Sequence, residues 1–95
     1  VKPEAQIFEG SKAQRLLEDE AFIQAFKDVK QAILDKWEAA PLRDREGAHE
    51  LKLMLKLLAD LKANLEMAVN NGKMAAAELK QSREKPTKWW AINRG

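Results

Sequence analysis

The residues able to do chemistry are few and scattered. His49 is the only histidine, with Glu46 three residues before it and Glu50 beside it. One imidazole and one carboxylate on a shared helix face fall short of the ligand set a metal needs. His49 is therefore expected on a helix surface, partly exposed. The carboxylates Asp28, Asp35, Glu38, Asp60 and Glu66 are spread along the chain, with Lys56 four residues before Asp60 and Lys62 four before Glu66. That spacing suits solvated, weakly paired surface charge better than an acid–base pair. There is no cysteine, the two serines Ser11 and Ser82 fall near expected helix ends, and the glycines at 10, 47, 72 and 95 are isolated. Neither a nucleophile with its base nor a phosphate-cradling loop is formed from such a set. The expectation is a protein that is not an enzyme and holds no metal or cofactor.

The last segment has a different character. Arg83, Lys85, Lys88 and Arg94 surround Trp89 and Trp90, with Ile92 just beyond. Three readings stand for this stretch. The indoles fold back on the body; or Trp89, Trp90 and Ile92 anchor in a groove of another protein, where Trp and Arg are strong contributors; or the cations and rings contact nucleic acid. Residues 1–72 carry 11 Lys/Arg against 13 Asp/Glu, and residues 73–95 carry 6 against 2, within a total of +2. The positive charge is thus confined to the end of the chain, which is thin for a nucleic-acid-binding face.

The elements that must position these groups are helical. The chain is rich in Ala, Leu, Lys and Glu, and has three prolines and no strand-like runs of β-branched residues, so an all-α fold is expected. Its longest apolar runs are far below the roughly 20 residues that span a bilayer, and the start VKPEAQIFEG lacks the pattern of a secretory signal. Residues 1–10, punctuated by Pro3 and Gly10, read as an extended arm. Its Ile7-Phe8 pair either packs back as a staple or clasps a neighbouring subunit. Ser11 and Gln14 have the spacing of a capping box that would start a short helix. Asp19 is a plausible N-cap for a second helix, though one helix running straight through is the alternative.

Phe22, Phe26, Val29, Ile33 and Trp37 then recur at helical spacing, and Pro41 should stop that helix near Ala39-Ala40. Asp44 caps the next helix, in which Leu51, Leu58 and Leu65 fall seven apart, as do Met54, Leu61 and Ala68. Gly47 in its first turn either permits a close backbone approach or is incidental. Leu53, Leu55, Leu57 and Val69 widen the apolar stripe beyond what one neighbour covers. Asn71-Gly72 is expected to end this helix, and residues 73–84 to form a short third one that Pro86 closes. The organisation that results is an N-terminal arm (1–10), a helical domain (11–84) and a basic, Trp-containing tail (85–95). The two long helices, about 30 and 39 Å at 1.5 Å per residue, should pair as an antiparallel hairpin with short flanking helices and extended ends. Leu53 and Leu57 form the surplus face, a candidate protein-binding surface.

The order Ala13-x-x-Leu16-Leu17, Phe26, Trp37, Pro41, Asp44-Arg45-Glu46-Gly47, Leu57/Leu58/Leu61/Leu65 and Gly72-Lys73 resembles small helical proteins encoded among the head-assembly and DNA-packaging genes of tailed bacteriophages and prophages. The resemblance covers roughly residues 11–80, and its pieces are individually unspecific. It implies a structural or assembly role in the bacterial host cytoplasm, and possible incorporation in the virion. The partner would be the chain itself or a larger capsid or packaging protein, with no membrane involved. Two other classes remain, a DNA-binding packaging accessory and a small phage inhibitor of a host protein.

Overall fold

The computed structural model describes the backbone of residues 2–94 and the side chains of residues 2–83. Among the described residues all regular structure is α-helical, in three elements: α1 (Pro3–Glu18), α2 (Glu20–Ala39) and α3 (Arg45–Arg94). Among the described residues no helix is long and apolar enough to cross a membrane.

The first expectation to fall is the N-terminal arm. Pro3 opens α1, where its missing N–H is one that a helix start leaves unpaired in any case and its fixed φ suits the first turn. The helix runs through Ser11, and Gln14 donates to the Glu18 carboxylate at 3.3 Å rather than closing a capping box. Gly10 sits in the middle of α1, fully buried. An interior glycine costs a helix about 1 kcal/mol against alanine. Here it has a compensating use, because α1 crosses α3 at this point. A Cβ at Gly10 would come within 2.8 Å of the Ala68 carbonyl oxygen and 3.0 Å of the Gly72 Cα. One at Gly72 would come within 3.0 Å of the Gln6 carbonyl oxygen and 3.1 Å of the Gly10 Cα.

The same contact overturns the second expectation. Asn71-Gly72 does not end a helix; among the described residues none takes a positive φ, and α3 continues unbroken through the glycine. The short third helix is simply the continuation of α3. Its bounds also take in Pro86 and the tail expected to be extended. A proline removes one hydrogen bond of the ladder, so it weakens a helix locally without forbidding it.

Other boundaries form where the side chains put them. Asp19 separates α1 from α2, with φ −71° and ψ 124°, and its carboxylate accepts the Phe22 N–H at 3.0 Å. Two helices, not one, therefore precede Pro41. Ala40 is extended at φ −66° and ψ 138°, as the residue before a proline prefers, and α2 stops there. In the connection that follows, the Pro41 carbonyl accepts the Asp44 N–H at 2.9 Å, and the Asp44 carboxylate accepts the Gly47 N–H at 3.0 Å. The atoms nearest a Cβ built at Gly47 all belong to that capping carboxylate.

Contacts along the chain run in a consistent order. Ile7, Gly10 and Gln14 share a groove with Ala76, Gly72 and Val69; Leu17 lies with Glu66 and Val69; Phe26, Lys30 and Leu34 lie with Lys62, Leu58 and Leu55. α3 packs more closely on α1 than on α2, whereas the Phe22–Trp37 stripe was expected to be its first partner. Size explains this: Gly10, Ala13, Gly72 and Ala75 let α1 approach, while Phe22, Phe26 and Leu34 hold α2 further out. The buried residues are the small ones, Ala13 and Ala75 with the two glycines, and no large side chain among those described is fully buried. The radius of gyration is 21.8 Å and the extents are 78 × 26 × 17 Å. A compact chain of this length would have a radius of gyration of about 12 Å.

Gly10→Ala tests the crossing. Alanine favours helix by about 1 kcal/mol, yet the new methyl meets backbone rather than a yielding side chain, and overpacking costs about 1–3 kcal/mol. Net destabilisation is expected, seen as a thermal midpoint several degrees lower by circular dichroism. Gly72→Ala should behave likewise.

Candidate interaction surface

The two candidate residues on the leucine helix come together as expected from their spacing. Leu53 and Leu57 are 47% and 67% exposed, and Leu61 one turn on is 50% exposed. Side chains four apart form an oblique ridge on a helix surface. Met54, also half exposed, lies beside this ridge. At 3.6 residues per turn these four side chains fall within an arc of about 100° on α3. Glu50 and Asn64, both exposed, fall within the same arc and mark its polar ends.

Met54 and Leu61 were expected inside, against the α2 stripe. What sets them apart is the course of α1. The seven-residue series Met54, Leu61, Ala68 continues to Ala75, and its two small members lie under α1, with Ala75 2% exposed. At Asp19 the chain leaves this side of α3. α2 instead covers the side carrying Leu55, Leu58 and Lys62. The large members of the series are left open. A change from large to small residues along one heptad position was the sequence signal for this, and it was not read.

The α2 side is partly closed. Phe22 and Phe26 pack tilted, centroids 6.3 Å apart, and the Lys62 ammonium lies 5.6 Å from the Phe26 centroid, its stem lining two neighbouring grooves. Cations over a ring are attracted by its negative face. Neither Lys62–Glu66 nor Lys56–Asp60 closes to 4 Å; the ion pair among the described residues is Lys12–Glu9 at 3.1 Å. Lys12 also lies 4.5 Å from the Phe8 centroid. Of the N-terminal apolar pair, Ile7 is half-buried and lines the α1–α3 groove with Val69 and Ala76, and Phe8 is exposed. Val29 and Trp37, part of the expected inner stripe of α2, are about half exposed.

The polar candidates with described side chains lie apart on helix surfaces. His49, Glu46 and Glu50 are exposed, and among the described residues no group of three His, Cys, Asp or Glu side chains converges on a metal position. Asp28 and Asp35 accept from Gln24 and Gln31, both at 2.8 Å, one turn apart on the α2 surface. Arg83 is exposed. Lys85, Lys88, Trp89, Trp90, Ile92 and Arg94 lie outside the residues whose side chains are described.

No family model matches the chain, and neither a curated protein nor a solved structure matches it.

The three methionines report on the surface independently. Met54 adjoins the open ridge, while Met67 and Met74, 59% and 61% exposed, fall on the far flank of the same helix. With peroxide at high dilution all three should oxidise at comparable rates. A partner seated on the ridge should slow sulfoxide formation at Met54 severalfold and leave Met67 and Met74 unchanged, as read by peptide mass spectrometry.

Proposed function

We propose that this chain is a non-enzymatic assembly protein that works by giving its uncovered helix face to another protein. In this reading the fold is an antiparallel helical hairpin. Its first arm, α1 and α2, is broken at Asp19, and its second arm is α3. The falling order of α3 residues met by α1 and then α2 supports that arrangement. The observation that carries the function is the mismatch between core and surface. The buried residues among those described are glycines and alanines, while Leu53, Met54, Leu57 and Leu61 stand about half in water or more.

Magnitudes favour association over an isolated fold. Burying a leucine or methionine fully is worth about 1.5–3 kcal/mol, and a domain's net stability is about 5–15 kcal/mol. The four residues are about half exposed, so covering them is worth roughly half of that apiece, about 3–6 kcal/mol together, a sizeable share of a domain's stability. A partner that covers them completes the core. The partner is another copy of the chain or a larger component, and the phage resemblance suggests a capsid or packaging protein during head assembly. The tail, with Trp89 and Trp90, offers a second contact in the same scheme.

Leu57→Lys is the direct test. A lysine at the most exposed ridge position leaves the α1–α3 and α2–α3 contacts untouched but places a charge where a partner would exclude water. In sedimentation velocity the wild-type chain should run larger than a monomer at micromolar concentration, or bind a larger head component. The variant should lose that association at least tenfold in Kd while keeping its helical signal. A wild-type chain that stays monomeric, unfolds cooperatively and is unaffected by Leu57→Lys would reject the reading.

A further inference from the structure

We infer that the occupant of the open ridge is a second copy of this chain, packed about a two-fold axis at Leu57 with the two α3 helices running in opposite directions. This rests on the assembly reading above and names its partner. Three observations lead to it.

The first is the symmetry of the open span. The ridge side of α3 is free between Glu50 and Asn64, and α1 takes over beyond it near Leu65 and Ala68, which are half buried. The residues on this face are Glu50, Leu53, Leu57, Leu61 and Asn64, at spacings of three, four, four and three. The pattern reads the same in both directions from Leu57. An isologous interface needs a patch complementary to itself, and these five positions meet that condition, while Met54 beside them falls opposite Asp60 of the second copy. Leu57 faces Leu57 of the second copy, and Leu53 faces Leu61 of the second copy.

The second is polarity at the ends. Opposed helices bring Glu50 towards Asn64 of the second copy, an acceptor towards an amide donor, on both sides of the axis. Helices running in the same direction would set Glu50 against Glu50, a like-charge pair in a partly desolvated position. Such juxtapositions are how an interface rejects a wrong register.

The third is area. The chain exposes 8154 Å², whereas a compact protein of 10.8 kDa exposes about 5,500 Å². The excess is about 2,600 Å² per chain on that scaling. Obligate homodimers bury about 2,000–5,000 Å² in total, or about 1,000–2,500 Å² from each chain. That excess is spread along the whole elongated chain, and a second copy seated on the ridge would cover part of it.

The absence of cysteine makes the register testable in the full chain, since a single introduced thiol has only its own counterpart to meet. A disulfide requires the two Cα atoms within about 7 Å. Leu57→Cys should give a reducible covalent dimer in high yield under mild oxidation. Leu53→Cys alone and Leu61→Cys alone should cross-link severalfold less, and mixing those two variants should restore the dimer. Sedimentation of wild type, which needs no substitution to fold correctly, should show a dimer in parallel. If Leu53→Cys cross-links to itself as well as Leu57→Cys does, the helices run in the same direction and the inference is overturned while the assembly reading stands. It is overturned in the same way if wild type is a monomer whose Met54 is protected only on adding a larger head component. A stably folded monomer that gives no cross-link overturns both.

Discussion

The structure depends on one close approach, where α1 crosses α3 through Gly10 and Gly72. At each glycine the backbone of the opposing helix lies 2.8–3.1 Å from where a Cβ would stand. Dispersion falls steeply with distance, so two helices gain from such contact only when nothing protrudes between them. Ala13 and Ala75 extend the same surface, and they are the buried apolar residues among those described. The stability of the α1–α3 end thus comes from small side chains at short range. The other end is made of large side chains at longer range. The two ends need different partners because they are packed in different ways.

The break at Asp19 converts that difference into a surface. Its cap to the Phe22 N–H starts α2 on a new course, so α2 does not continue along the side of α3 that α1 covers. Leu53, Met54, Leu57 and Leu61 are what α1 would have covered had it gone on. The open ridge follows from one residue's choice of backbone conformation as much as from the leucines themselves. Charge plays a smaller part. The glutamine–aspartate bonds on α2 and the Lys12–Glu9 pair are surface interactions, each worth a few tenths of a kcal/mol.

Local signals in the sequence were legible where a residue acts on its own neighbours. Asp19 and Asp44 cap, and Pro41 halts α2, because each effect is confined to about one turn. The all-helical class followed from composition, and the exposure of Leu53 and Leu57 from an apolar stripe too wide for one neighbour. The glycines were misread because a glycine's local meaning, a break or a stop, competes with a meaning that depends on a distant residue. Gly10 and Gly72 explain each other, yet nothing within ten residues of either says so. The same holds for Met54 and Leu61, whose seven-residue spacing named a face correctly but not which helix lay on it. The tail's tryptophans sit beyond the described side chains, so the three readings of that segment stand as they did.

The Asp44-capped connection also sets an order of events in time. Leu34 and Leu55 are brought together across a short turn, whereas Gly10 must find Gly72 across most of the chain. Closing a longer loop costs more entropy, and contacts distant in sequence form late and slowly. The α2–α3 turn is therefore the natural starting point, and α1 is the last piece to dock. Until it does, the small-residue seat at Ala68, Gly72 and Ala75 is as bare as the leucine ridge below it, and the whole length of α3 offers one uninterrupted seam. Two nascent chains meeting then would have a choice of registers that the finished fold removes. Docking of α1 is thus an editing step, one that narrows the seam to its symmetric middle.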